Sequence, residues 1–165
     1  MIFVTLGTQD KPFPRLLQAV EKAIETGAIQ QQVVVQAGYT KFTSANMEVF
    51  DYLDQQRFSA FLLQADLLIT HGGVGTIMAG LRAGKKILAA PRLAKYKEHH
   101  NDHQLQLLEA FAKEGYLIYM RDLNDITAYL KQAETFTPKV YISNQMNMIR
   151  RLENFISETS RREDR

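Results

Sequence analysis

The sequence predicts an α/β domain built on a doubly wound, parallel, Rossmann-like sheet. Short β-branched runs bounded by turn residues alternate with longer segments of helical period, and strands separated by helices imply a parallel sheet with right-handed crossovers. The chain has 165 residues, 45% hydrophobic and 23% charged, which suits one domain with a proper core and argues against disorder.

The elements follow in order. Residues 2–6 and 33–36 read as buried strands, and between them residues 13–24 place Leu16, Leu17, Val20 and Ile24 on one helical face. Residues 39–46 have no period and read as a loop. A third strand is predicted at 67–70, then a helix over 76–83, with Gly84 where a left-handed C-cap belongs. A fourth strand spans 87–90. The next helix, 102–114, puts Leu105, Leu108 and Ala112 on one face and ends at Gly115, before an edge strand at 116–120. Thr137-Pro138 breaks the chain ahead of a last predicted helix, 144–156, with Ile149, Leu152 and Ile156 spaced for packing. The domain is assigned to residues 1–156, and residues 157–165 read as a polar tail.

Charge and cysteine content narrow the function. Twenty Lys and Arg against eighteen Asp and Glu leave a net charge of +2, too balanced for a dedicated nucleic-acid binder. With no cysteine there is no disulfide framework, cysteine–zinc site or thiol nucleophile. The apolar start lacks a basic leader, and no uncharged stretch approaches the ~20 residues of a membrane helix. Gly80-x-x-x-Gly84 therefore does not read as a transmembrane pairing motif. The expectation is a soluble cytoplasmic protein.

In an open α/β sheet, ligands bind beyond the carboxyl ends of the strands, and three segments fall there. The first is Gly7-Thr8-Gln9, after the opening strand, where a glycine lets backbone approach a ligand and the next residues offer donors; a simple turn is the other reading. The second is His71-Gly72-Gly73-Val74-Gly75-Thr76, between a strand and a helix. Three glycines in four positions cost chain entropy, and bare backbone at a helix start presents N–H groups and the positive dipole end to a phosphate. His71 is placed to donate to the same group; a packed turn capped by Thr76 is the alternative. The spacing is neither the dinucleotide fingerprint nor a P-loop.

The third segment is His99-His100-Asn101-Asp102-His103-Gln104. His99 and His103 stand four apart, a metal-ligand spacing on a helix, but the set is incomplete without Asp102 or His71. A solvated helix start and a polar cluster for a hydroxyl-rich ligand are the competing readings. Lys85, Lys86, Arg92, Lys95 and Lys97 read as solvated charges rather than clamps. Tyr39, Phe42, Phe50 and Tyr52 read as core packing ahead of a surface patch. There is no Gly-x-Ser-x-Gly elbow and no nucleophile with an obvious base beside it.

These segments, in this order, resemble the nucleotide-sugar-binding half of GT-B glycosyltransferases. More closely, the chain resembles the glycosyltransferase family 28 C-terminal domain of Alg13-type proteins, and within these the bacterial exopolysaccharide and capsule group of PssE or EpsF type. The resemblance rests on Ile2-Phe3-Val4-Thr5-Leu6-Gly7-Thr8 with Pro12-Phe13, Gln36-Ala37-Gly38, the glycine loop, and Pro91-Arg92-Leu93 with His99 and Asp102-His103-Gln104. It implies a UDP-sugar donor. Gly7, Thr8, Gln9, His71, Gly72, Gly73, Gly75 and Thr76 would approach the diphosphate, and Asp102, His103 and Gln104 the sugar hydroxyls. Many relatives carry a ribose-binding Glu where this chain has Ala79.

The resemblance also implies a partner. A GT-B enzyme has two halves, and here the acceptor half would be a separate membrane-anchored Alg14- or PssD-like subunit that brings a lipid-linked sugar acceptor. The chain would then sit peripherally at the inner face of the plasma membrane. The last helix, with Ile149, Leu152, Phe155 and Ile156, would either face that partner or pack on its own sheet. Transfer of a hexose would be inverting, without cofactor, metal or protein nucleophile, and no catalytic residue is assigned. A non-catalytic nucleotide-binding or docking module is the alternative; a dinucleotide oxidoreductase fits poorly because the first strand lacks its fingerprint.

Overall fold

The computed structural model describes residues 1–100 and 103–142. Six parallel strands, β1 (Ile2–Thr5), β2 (Val33–Gln36), β3 (Glu48–Phe50), β4 (Leu67–His71), β5 (Lys86–Ala90) and β6 (Ile118–Tyr119), form one sheet in the order β3-β2-β1-β4-β5-β6. β1 lies between β2, with Ile2 opposite Val33, and β4, with Ile2 opposite Leu67. The chain steps outward from β1 to β3, then crosses back to β4. The switch point of the doubly wound sheet is therefore the crevice between β1 and β4.

Helices α1 (Pro14–Glu25) and α5 (Ile126–Thr135) cover one face; α2 (Gln55–Gln64), α3 (Val74–Arg82) and α4 (His103–Lys113) cover the other. Strand residues alternate between the two cores. Ile2, Val4, Val33, Val35, Ile69 and Leu88 join Leu16, Leu17 and Val20 of α1. Phe3, Val34, Leu68 and Ile87 meet Leu62, Ile77, Leu81 and Leu108 on the opposite face. With helices on both sides, every residue of β1, β2 and β4 is buried, which explains why these runs are apolar up to the polar residues at their carboxyl ends, Thr5, Gln36, Thr70 and His71.

The fold confirms the predicted class and adjusts its details. Pro14 opens α1 at the first turn, where its missing N–H costs nothing. Gly84 has φ +65° just past α3, as expected for a left-handed cap. β4 runs one residue further than predicted, and α3 starts at Val74 rather than Thr76, with Gly73 at the N-cap position. α4 buries Gln104 and Leu108 and packs Leu107, Phe111 and Ala112 against the core, so its inner face is rotated from the predicted Leu105, Leu108 and Ala112.

One strand and two α-helices were not anticipated. β3 is three residues long and opens with exposed Glu48. α2 sets Phe58, Phe61 and Leu62 among polar residues and is capped by Asp54, whose carboxylate accepts from the Arg57 N–H at 2.8 Å. α5 does carry a helical spacing in Ile126, Tyr129, Leu130 and Ala133. Tyr39 and Tyr52, read as core, are half exposed and form an edge-to-face pair at 6.0 Å; Phe42 and Phe50 do pack inward. The helix predicted at 144–156 and the tail at 157–165 lie outside the described residues.

Candidate functional site

Because β1, β4 and β5 are adjacent and parallel, the chain leaves all three at the same end of the sheet. Gly7, with φ +73°, turns the chain sharply after β1, a conformation that disfavours any residue with a Cβ. The same position faces His71 at the end of β4: a Cβ at Gly7 would sit 2.6 Å from His71 Cε1. Gly73 packs against the imidazole as well, where a Cβ would lie 2.2 Å from Nε2. The imidazole thus occupies space made by two glycines, and this is what brings the first two segments together.

His71 is 7% exposed. Burial, reinforced by the positive charge of Arg92, depresses its pKa from 6.5 to about 4, against a smaller opposing pull from the Thr5 carbonyl. The ring is neutral at physiological pH. The Thr70 hydroxyl donates its only hydrogen to the Thr5 carbonyl at 2.9 Å, so at the 3.3 Å contact with His71 Nδ1 it must accept. By that logic the proton sits on Nδ1 and Nε2, beside Gly73, is an acceptor. In this tautomer the N–H of the ring faces Thr70.

The glycine loop leads into α3, whose first intrahelical bond runs from the Ile77 N–H to the Gly73 carbonyl at 3.1 Å. The N–H groups of Val74, Gly75 and Thr76 therefore have no partner within the helix and lie at its positive end. Thr76 is inside the first turn and is not the cap. The glycines of the loop differ in what they face. A Cβ at Gly72 would meet Gln104 Cβ at 2.8 Å, and Gly73 meets His71, but at Gly75 a Cβ would touch nothing within 4 Å.

The third segment divides. Gln104, expected near the sugar hydroxyls, is buried, and its Oε1 accepts from the Arg92 N–H at 2.9 Å, just past the end of β5. His103 is exposed at the first position of α4. Asp102 lies outside the described residues. His99 precedes α4, so His99 and His103 do not share a helix and the spacing that suggested a metal pair is not realised. Among the described residues no three His, Asp or Glu side chains gather around a metal position. Thr8 is exposed and Gln9 half-buried beside the β1–α1 turn.

Sequence reasoning missed two buried charges. Arg92, read as solvated, is 1% exposed, and Glu98 is 3% exposed. Glu98 accepts from Arg15 Nε at 2.7 Å and Nη2 at 2.9 Å, and from the Leu93 N–H at 3.0 Å. Arg15 also reaches the Pro91 carbonyl at 2.7 Å. This network fastens the loop after β5 to the start of α1. A cavity of about 510 Å³ lies on the far side of it, against α1 and the start of α5, and is walled by Arg15, Lys22, Lys95 and Arg121. None of the residues of the Gly7 turn or the His71–Thr76 loop lines it. Ala79 is half-buried and packs into the α2–α4 core. Among the described residues, no helix is long and apolar enough to cross a membrane.

Comparison with known proteins places this geometry. The model of the glycosyltransferase family 28 C-terminal domain matches residues 1–158. The zeaxanthin glucosyltransferase of Pseudescherichia vulneris is 31% identical over 96 residues, 54% of this chain and 22% of that protein. The UDP-N-acetylglucosamine transferase subunit ALG13 of Homo sapiens is 27% identical over 129 residues, 72% of this chain and 11% of that protein. The chain thus spans less than a quarter of either relative's length. The NMR solution structure of ALG13 matches with a TM-score of 0.58 at 20% identity, covering 92% of this chain and 93% of that one. A crystal structure of the glycotransferase of kitacinnamycin matches with a TM-score of 0.62 at 21% identity, covering 81% and 34%. At such identities the likeness shows the shared α/β fold.

Proposed function

Since the chain belongs to the glycosyltransferase family 28 C-terminal domain family, we propose that it is the donor-binding subunit of a two-component inverting glycosyltransferase. It takes a UDP-sugar and transfers the hexose to a lipid-linked acceptor in exopolysaccharide or capsule biosynthesis. A membrane-anchored Alg14- or PssD-like partner supplies the acceptor site and holds the chain at the inner face of the plasma membrane. The observation that carries this reading is the convergence of Gly7, the His71–Thr76 turn and the start of α3 at the switch point between β1 and β4.

Chemically, the reading asks little of this chain beyond binding and electrostatics. The acceptor hydroxyl oxygen bonds to the anomeric carbon as the bond from that carbon to the β-phosphate oxygen breaks, and UDP departs with the electron pair. In this reading the free N–H groups at the start of α3 would stabilise that growing negative charge. The hydroxyl proton passes to a base for which this chain offers no assigned residue, so the base belongs to the partner's side of the cleft. His71, neutral with Nε2 as acceptor, shapes the turn rather than neutralising phosphate. Ribose contacts come from elsewhere than Ala79, which packs inward.

That inward packing favours one alternative, a docking module that binds the membrane partner without using a nucleotide. Calorimetric titration of the chain with UDP, UMP and NAD, alone and co-purified with the partner, separates the readings. Binding of UDP in preference to NAD, weakened by His71→Ala, supports the donor site. Partner binding with no UDP heat in either state supports the docking module and refutes the proposal.

A further inference from the structure

We propose that Arg92 is a positioning residue, a buried fork that holds the β1–α1 turn in the shape a diphosphate requires; the inference rests on the donor-site reading above. Arg92 is 1% exposed and heads the largest fully buried side chains of the described residues. Removing a guanidinium from water is costly, so a fold that keeps one must use its donors. Nη2 donates to the Leu6 carbonyl at 2.6 Å and Nη1 to the Lys11 carbonyl. These two carbonyls bracket the turn that contains Gly7, Thr8 and Gln9. The guanidinium also lies over the Phe13 ring, 5.3 Å from its centroid, just ahead of α1.

The same residue reaches the other segments of the site. Its backbone N–H is held by Gln104 at 2.9 Å, and Gln104 in turn packs against Gly72. Gly7, inside the bracketed turn, packs against His71. A shift of the turn is therefore felt at the imidazole and at the loop opening α3. Lysine cannot replace this arrangement, because a single ammonium lacks the planar pair of donors that spans two fixed carbonyls.

Charge gives the fork a second consequence. Two buried or half-buried guanidiniums, Arg15 and Arg92, share one buried carboxylate, Glu98, and that carboxylate is hydrogen-bonded by Arg15 and by the Leu93 N–H. Among the described residues Arg92 Nε has no hydrogen-bond partner. Among the described residues, two guanidiniums thus stand against one carboxylate beside the turn, and a diphosphate above it is the complementary ligand; uridine, which has no phosphate, is not.

The test titrates UDP and uridine against the full chain, Arg92→Lys and Arg92→Met, with amide signals of Gly7 and Thr8 followed by NMR. Both variants are expected to weaken UDP about tenfold or more while leaving uridine affinity unchanged, and to shift both signals. Arg92→Lys, which keeps the charge, is expected not to rescue. If neither variant folds, the wild-type Arg92 Nε–H signal serves instead, and is expected to move on adding UDP but not uridine. Arg92→Lys with wild-type UDP affinity and unmoved Gly7 and Thr8 signals overturns the proposal. Equal weakening of UDP and uridine also overturns it, because that is general destabilisation. A wild-type chain that binds no UDP defeats the donor-site reading, while the Gly7 and Thr8 shifts in Arg92→Lys still decide whether the fork sets the turn.

Discussion

Acid should unfold this protein partly through one imidazole. His71 has a folded pKa of about 4 and an ordinary value of 6.5, because the ring is enclosed by Gly7 and Gly73 and lies near Arg92's charge. Between those two values the unfolded chain binds a proton that the folded one refuses. The unfolded state therefore holds more protons, and stability rises with pH through this window. The contribution is complete above the unfolded value and is lost as pH falls toward the folded one. Moving from about pH 7.5 to about pH 5 removes about 2 kcal/mol by this linkage alone, and full descent past the folded value removes about 3 kcal/mol. Urea unfolding at several pH values, wild type against His71→Gln, isolates the term, since glutamine does not titrate and every other group is common to both. The wild type should lose about 2 kcal/mol more than the variant over that interval. Parallel acid limbs in the two proteins would falsify the reasoning, as would an imidazole NMR titration with a midpoint near the ordinary value.

Three further outcomes are expected. Glu98→Gln removes the carboxylate charge that Arg15 and the Leu93 N–H share and leaves two guanidiniums uncompensated, so urea unfolding should show a loss of about 3 kcal/mol. Gly80→Ala places a Cβ 2.7 Å from Leu68 Cδ2 and 2.9 Å from Ile87 Cδ1, and the overpacking should outweigh the gain in helix propensity. A net loss of about 1 kcal/mol in chemical denaturation, with UDP affinity unchanged, is the expected result. Gly75→Ala meets no neighbour and should raise stability by up to about 1 kcal/mol while weakening UDP in calorimetry, since its Cβ stands where the proposed phosphate approaches.

What could be read from the residues follows from how local the cause is. β1, β2 and β4 are short, apolar and buried on both faces, so the driving force for each is written in its own residues. β3 owes its existence to β2, with Val34 opposite Glu48, and three residues cannot display a period. α5 was legible and overlooked; its apolar spacing follows a turn begun by Asp122, whose carboxylate accepts from the Asn124 N–H at 2.9 Å. In the site, the approach of the Gly7 turn to the His71 loop was foreseeable from the rule that ligands lie beyond parallel strand ends. The burial of Arg92 was not. Its acceptors, the Leu6 and Lys11 carbonyls, lie more than eighty residues earlier, and a backbone carbonyl leaves no mark on sequence type.

The glycine loop shows why motif strength and ligand evidence are different quantities. Three glycines in four positions seem to call for a ligand, since a turn alone does not need so many. Yet Gly72 is required by Gln104 and Gly73 by His71, both side chains of this chain, so two of the three are explained by packing. Gly75 is the exception: its φ is not positive, it lies in the first turn of α3, and a Cβ there would face open space. Alanine would serve the helix better at that position. Among the described residues nothing packs where a Cβ at 75 would stand, which suits the proposed approach of a phosphate to the N–H groups of the helix start. The case for phosphate thus narrows from a motif to one residue and the three N–H groups around it.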